Sequence, residues 1–220
     1  MTGSVDRFLA GKAQTRRARL IFALDATASR QPTWDMAVRL QAEMFREILG
    51  IGNLDVQLVF YRGLRDHGGE CKASQWMPPT GLTAAMQRIV CQAGETQIGK
   101  VLSHTTRETQ DLAVGALVFV GDACEENADS LTTKAAGMGV PAFMFQEYNA
   151  GLSPAEQAVV EKTFKAVALA SHGAYCRFDE GAARQLGELL RAVVAFVVGG
   201  VQALEKQKTE GATKLLSQLK

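Results

Sequence analysis

Three observations predict an α/β fold with a doubly wound, mostly parallel open sheet flanked by helices and one short antiparallel edge strand. Residues 19–25 and 113–121 are apolar runs without alternation, the pattern of strands covered on both faces. Strand-like and helix-like segments alternate along the chain, as in sheets wound on both sides. A chain of 220 residues, 47% hydrophobic and 21% charged, can bury one large core.

The elements follow in order. The first strand, 19–25, ends in Asp25, and a polar loop leads to Pro32, well placed in the first turn of a helix. Ala37, Leu40, Met44 and Ile48 recur there at helical spacing until Gly50. A second strand is expected at 54–61, and 70–77 is read as a short strand pairing back across Gly68-Gly69 before Pro78-Pro79. Helical segments are expected at 82–91 and 97–109. The apolar run 113–121 ends in a second aspartate, Asp122. A helix at 129–137 and a strand at 140–145 follow. Ser153-Pro154-Ala155-Glu156 carries a cap, a first-turn proline and a glutamate able to reach back, a strong helix start. A strand at 174–178 and a long helix from 181 complete the pattern.

Composition limits the function classes. With 24 basic and 23 acidic side chains, the net charge of +1 excludes a strongly basic nucleic-acid binder and a highly acidic disordered chain. Cys71, Cys91, Cys124 and Cys176 show neither disulfide-scaffold nor zinc spacing and read as small core thiols of a reducing compartment. The first residues lack the apolar core of a secretory signal. The longest apolar stretch, 192–201, is well short of the ~20 residues that span a bilayer. A cytoplasmic protein without membrane insertion is expected. Its parts are an N-terminal extension (1–18), the main domain (19–200) and a C-terminal helical tail (201–220). Leu215, Leu216 and Leu219 give that tail an apolar stripe, which suits either a docked helix or a frayed extension.

Ligands of such sheets bind at the carboxyl ends of the strands. Asp25-Ala26-Thr27-Ala28-Ser29 can point one carboxylate and two hydroxyls to one side of an extended turn. Thr96 adds a hydroxyl from a second loop and Asp122 a carboxylate from a third. This all-oxygen set, without His or Cys, suits a hard divalent cation: Mg²⁺, with Mn²⁺ or Ca²⁺ as alternatives. Helix capping and turn formation are the competing roles of these residue types. Glu125 and Glu126, just beyond Asp122, read as a solvated loop, the competing role being extra negative charge at the rim of the site. His67, His104 and His172 have no partner evident in sequence. Trp34 and Trp76 fall near loops, either as indoles folded over the core's end or as recognition anchors. Lys206, Lys208, Lys214 and Lys220 read as a solubilising face.

Asp25-x-Thr27-x-Ser29 after a buried strand, Gly94-Glu-Thr96-Gln-Ile-Gly99 before a helix and Val118-Phe-Val-Gly-Asp122 together resemble a von Willebrand factor A-type domain. The resemblance spans about 19–198 and implies a Rossmann-like fold. It also implies a metal-ion-dependent adhesion site made by Asp25, Thr27, Ser29, Thr96 and Asp122. Ser171-His-Gly173-Ala-Tyr175 is similar to the family's late glycine–aromatic strand. Thr27 stands where the family pattern has a serine, and Gly121-Asp122-Ala123 departs from its usual Thr-Asp-Gly. The resemblance implies a non-catalytic module that binds another protein, whose acidic side chain completes the metal's coordination.

The alternative is a Mg²⁺-dependent phosphatase using Asp25 as nucleophile. Such enzymes need a second carboxylate two residues on, where this chain has Thr27. A structural subunit with an empty metal site is a third possibility. Neither a G-x-G-x-x-G after the first strand nor a P-loop is present.

Overall fold

The computed structural model describes residues 17–27, 35, 54–64, 69–178 and 183–219. The helix expected after Pro32, together with Ser29, Trp34, His67 and Lys220, lies outside the described residues. Six strands form one sheet in the order β3-β2-β1-β4-β5-β6. They are β1 (Ala18–Asp25), β2 (Leu54–Arg62), β3 (Glu70–Ala73), β4 (Ala116–Gly121), β5 (Ala142–Glu147) and β6 (Ala174–Phe178). All neighbours pair in parallel except β2 with β3, which are antiparallel, with Tyr61 opposite Cys71. The fold class expected from the sequence is the one observed.

Among the described residues the α-helical elements with defined bounds are α1 (Leu82–Met86), α2 (Ile98–Asp111), α3 (Ala128–Ala136), α4 (Pro154–Ala170), α5 (Ala183–Glu205) and α6 (Glu210–Leu216). They cover both sheet faces, which is why the central strands need apolar residues at every position. On one face Leu20, Phe22, Leu24, Val118 and Val120 pack with Leu82 and Met86 of α1, Leu186, Leu189 and Val193 of α5 and Leu215 of α6. On the other, Ile21, Ala23, Leu117 and Phe119 meet Ile98, Val101 and Leu102 of α2, Leu131 of α3 and Phe164 of α4. Phe119 is central there: it stacks on Tyr61 at 6.1 Å and meets Phe164 edge-on at 5.5 Å.

Several elements differ in extent from the sequence reading. The strand expected at 70–77 is β3 over its first half; further along, Met77 makes one isolated antiparallel bridge to Val56. The helix expected at 82–91 ends at Met86. Beyond it Arg88 and Ile89 donate to Ala85 and Met86, the three-residue spacing of a tightened last turn. At α4 the expectation holds in detail: Ser153 accepts from Glu156 N, Glu156 accepts from Ser153 N, and Pro154 sits in the first turn. Gly173, just before β6, runs so close to β5 that a Cβ there would lie 2.0 Å from Ala142 O.

The chain beyond residue 200 is docked. Gly200 takes a positive φ of 67° where α5 breaks its helical path, a conformation suited to glycine. Thr209 caps α6, and Ala212 and Leu215 are fully buried. Gln218 then accepts from Tyr175 N at 2.9 Å and donates to Tyr175 O at 2.8 Å, extending the polar pairing of β6. Within α5, Arg184–Glu205 is 22 residues and contains an 18-residue window of mean hydropathy 1.5, long and apolar enough to cross a membrane and longer than the stretch judged from sequence. Its Leu186, Leu189, Leu190, Val193 and Val194 are buried in the sheet's core cluster, so one face of this helix packs on the sheet.

Candidate metal edge

β1 and β4 are adjacent and parallel, with Leu24 opposite Val120. One step further, that register sets Asp25 beside Gly121, and Asp122 follows on a chain about 4.8 Å away. Both carboxylates are withdrawn from solvent, Asp25 at 2% exposure and Asp122 at 3%. Asp25 Oδ1 accepts from Thr27 N at 2.8 Å, which closes the turn after β1 and holds the buried Thr27 beside it. Asp122 Oδ2 accepts from Asn149 Nδ2 at 2.9 Å, so the loop after β5 helps orient the carboxylate.

Thr96, 1% exposed, reaches this edge through a loop tied to both neighbouring turns. Gln92 N donates to Ala26 O at 3.0 Å, just beyond Asp25. Glu95 N and the Gln97 side chain donate to Gly63 O and Arg62 O at the end of β2. Gly94 fits against Gly63 because it has no side chain; a Cβ would lie 2.3 Å from Gly63 N. On the opposite side Thr96 is bonded to Glu125, three residues after Asp122. The backbone therefore brings Asp25, Thr27, Thr96 and Asp122 to one edge. Ser29 lies outside the described residues.

Glu125 and Glu126 lie in the loop between β4 and α3, Glu125 exposed and Glu126 half-buried, yet both carboxylates are bonded across to the loop before α2. Glu125 Oε2 accepts from Thr96 N at 3.0 Å and from Thr96 Oγ1 at 2.6 Å, and Glu125 N donates back to Thr96 Oγ1 at 3.2 Å. Glu126 accepts from Ile98 N and, at 3.0 Å, from Gly99 N. The N-cap of α2, Gln97, makes no side-chain cap bond, so Glu126 answers two of the unsatisfied amides and sits at the positive end of the helix dipole. Capping of α2 therefore comes from Glu126, and the Thr96 side chain serves the cross-link instead.

Asn149 was not singled out by the sequence, and Glu125 and Glu126 were weighed there only as negative charge at the rim, not as the bonds that hold the Thr96 loop and the start of α2. Neither was Glu147, the buried last residue of β5, because the strand was expected to end at Phe145. The signal available for Glu147 was the same strand-terminal acid that marks Asp25 and Asp122.

The donor set fits a hard divalent cation. It holds buried carboxylate and hydroxyl oxygens, and burying carboxylate charge calls for opposite charge or hydrogen bonds. Among the described residues no three Asp, Glu, His or Cys side chains gather as a metal cluster. A cation here would thus depend on the hydroxyls as well as the two aspartates. Thr96 Oγ1 gives its proton to Glu125 and accepts once, which leaves one lone pair for a ligand.

Other candidate residues lie away from this edge. Trp76 is at the amino end of β1, where Nε1 donates to Glu108 Oε2 at 2.7 Å and Arg19 stacks 3.6 Å from the ring centroid. It is the folded-over indole. His104 Nε2 lies 2.8 Å from Gln57 Oε1 and 3.7 Å from Glu108, and burial pushes its pKa down. Burial alone pushes Glu108 up, but hydrogen bonds from Trp76 and Gln57, with His104 and Arg19 nearby, hold it below the usual carboxylate range. None of the four cysteines is in a disulfide; burial pushes the Cys71 and Cys176 thiols up to about 11.

No protein-family profile and no curated protein sequence matches the chain. Solved structures do. The pilus adhesin SpaC from Lactobacillus rhamnosus GG superposes with a TM-score of 0.65 at 7% identity, over 83% of this chain and 30% of the adhesin. An aerotolerance-related membrane protein from Bacteroides fragilis NCTC 9343 gives 0.57 at 16% identity, over 80% of this chain and 98% of the other. The vWF domain of a type V pili tip protein from Porphyromonas gingivalis gives 0.56 at 9% identity, over 88% and 97%. At these identities the likeness is one of fold, and the fold is that of von Willebrand A domains. This chain spans less than a third of the adhesin's length. The cytoplasmic location expected above is overturned by these likenesses, which are to pilus proteins and a membrane protein. Its basis was weak in physical terms, since thiols outside disulfides and a near-neutral charge are compatible with many settings.

Proposed function

We propose that the chain is a metal-dependent protein-interaction module. Asp25, Thr27, Ser29, Thr96 and Asp122 would hold one divalent cation, Mg²⁺ or else Mn²⁺ or Ca²⁺. When bound, the cation supplies positive charge that draws an acidic side chain from a partner protein. The observation that carries this reading is the burial of Asp25 and Asp122 at the ends of adjacent parallel strands, with the Thr96 loop tied to both turns. Neutral hydroxyls beside two carboxylates leave a bound divalent cation attractive to a third carboxylate. The fold likeness to a pilus adhesin and a pilus tip domain supports an interaction role.

The chain's own residues would do three things. Asn149 holds the Asp122 carboxylate in one orientation. Thr27 N does the same for Asp25. Glu125 keeps the Thr96 hydroxyl at the edge and fixes its proton away from the remaining lone pair. The phosphatase alternative has no support from the site: Thr27 offers no carboxylate for proton transfer.

The test is capture of partner proteins from the native cell by the immobilised chain, with Mg²⁺ or with excess chelator. A partner retained with Mg²⁺, released by chelator and not captured by Asp25→Ala supports the reading. A partner held equally well in chelator contradicts it.

A further inference from the structure

The edge strand β3 and helix α2 flank an open pocket of about 440 Å³ that holds none of the proposed cation ligands and shares only Glu126 with the surroundings of the metal edge. That is the size of a small-molecule site. Its floor is apolar, from Val59, Cys71, Ala73 and Gly99, while Lys72, Lys100, Arg107 and Lys134 stand around it. Lys100 and Arg107 are two turns apart on α2, so the cations are spread over about 10 Å along the helix.

The charge balance of the cavity is one-sided. Lys72 is paired with Glu70. Among the described residues Lys100 Nζ donates to neutral acceptors, Gly69 O at 3.1 Å and Gln97 Oε1 at 2.7 Å. Lys134 Nζ likewise donates to Ser103 Oγ at 3.2 Å. Among the described residues no carboxylate pairs with Lys100, Arg107 or Lys134. The one acid lining the cavity, Glu126, accepts from Ile98 N and Gly99 N. Gly99 leaves room for it, since a Cβ there would lie 3.0 Å from Glu126 Oε1, a tight contact. The acid is thus bonded to the helix end, and Lys100, Arg107 and Lys134 face a single carboxylate in the lining.

We infer that this cavity between β3 and α2 binds a small organic phosphate, its apolar body on the Val59–Ala73 floor and its phosphoryl oxygens on Lys100, Arg107 and Lys134. The guanidinium of Arg107 presents a planar fork that matches phosphate oxygens, and the lysines act as flexible point charges. Side chains, not a glycine-rich loop, would hold the phosphates. The inference is independent of the metal edge.

Isothermal titration of adenosine 5′-diphosphate into the whole chain tests it, in excess EDTA so that no divalent cation contributes. Saturable binding at one site is expected, with adenosine and the dicarboxylate succinate binding at least tenfold more weakly. Arg107→Ala and Lys134→Ala, both at exposed positions, should each weaken binding by about tenfold, the size expected for a lost charge-assisted hydrogen bond. Lys162→Ala, an exposed lysine on α4, should leave it unchanged. Absence of saturable binding overturns the proposal. So does unaltered affinity in both Arg107→Ala and Lys134→Ala, or succinate binding as tightly as the diphosphate.

Discussion

Thr96 and Glu125 hold each other through three hydrogen bonds: Thr96 N and Oγ1 both donate to Glu125 Oε2, and Glu125 N donates to Thr96 Oγ1. The two residues are 29 apart in sequence, so the pair fastens the loop before α2 to the loop after β4. It ties one proposed cation-binding loop to another. A carboxylate accepting two bonds from one residue also fixes that residue's hydroxyl rotor.

Glu125→Ala should therefore destabilise the fold by about 1–3 kcal/mol, the cost of charge-assisted bonds to partly buried groups. Urea unfolding checks this. Glu125→Gln keeps an acceptor and should cost less. Equal stability of wild type and Glu125→Ala would show that the loops are held without the pair.

Gly173→Ala should be among the most damaging single changes. Its Cβ would stand 2.0 Å from Ala142 O, a backbone atom that cannot rotate away. Relief requires β5 and β6 to separate, at about 3 kcal/mol or more. A fall in thermal midpoint of several degrees is expected. Gly187→Ala, where a Cβ meets nothing within 4 Å, is the control and should be neutral or slightly stabilising.

Leu215→Ala should cost about 2–5 kcal/mol, because the side chain is fully buried against the core from α6. Loss of that size would confirm that the chain beyond residue 200 belongs to the folded unit. A change below about 0.5 kcal/mol, typical of a surface site, would show that it does not.

Acid should destabilise the protein in two stages. Burial lowers the pKa of His104, so the unfolded chain takes up that proton first, and stability falls as pH drops below about 6.5. Glu108 is also held below its ordinary value, so its contribution is present above the unfolded carboxylate range and lost as pH falls through the folded value. Urea midpoints from pH 8 to 4, read by tryptophan fluorescence, check both stages. His104→Gln should remove much of the loss between pH 7 and 5.5; an unchanged profile would contradict the assignment.

The legible parts of the molecule were those set by local chemistry. β1 and β4 announced themselves because a strand covered on both faces cannot alternate, and the start of α4 because its capping box lies within four residues. The aspartates ending β1 and β4 marked the edge for the same reason. Bonds spanning many residues left no local pattern. Glu125 and Glu126 look like ordinary loop acids until the amides of Thr96, Ile98 and Gly99 are beside them. The docking of α6 was open from sequence because Leu215 needs its core partners to be in place. His104 showed no partner because Gln57 lies 47 residues away on another element.

The most direct measurement of the central claim is Mn²⁺ binding to the whole chain, followed by electron paramagnetic resonance as free ion is depleted. One Mn²⁺ per chain should bind, Mg²⁺ should compete, and Asp25→Ala and Asp122→Ala should each abolish binding while circular dichroism shows the fold retained. Folded wild-type protein that leaves the free-ion signal unchanged, or both variants binding Mn²⁺ as the wild type does, would contradict the account.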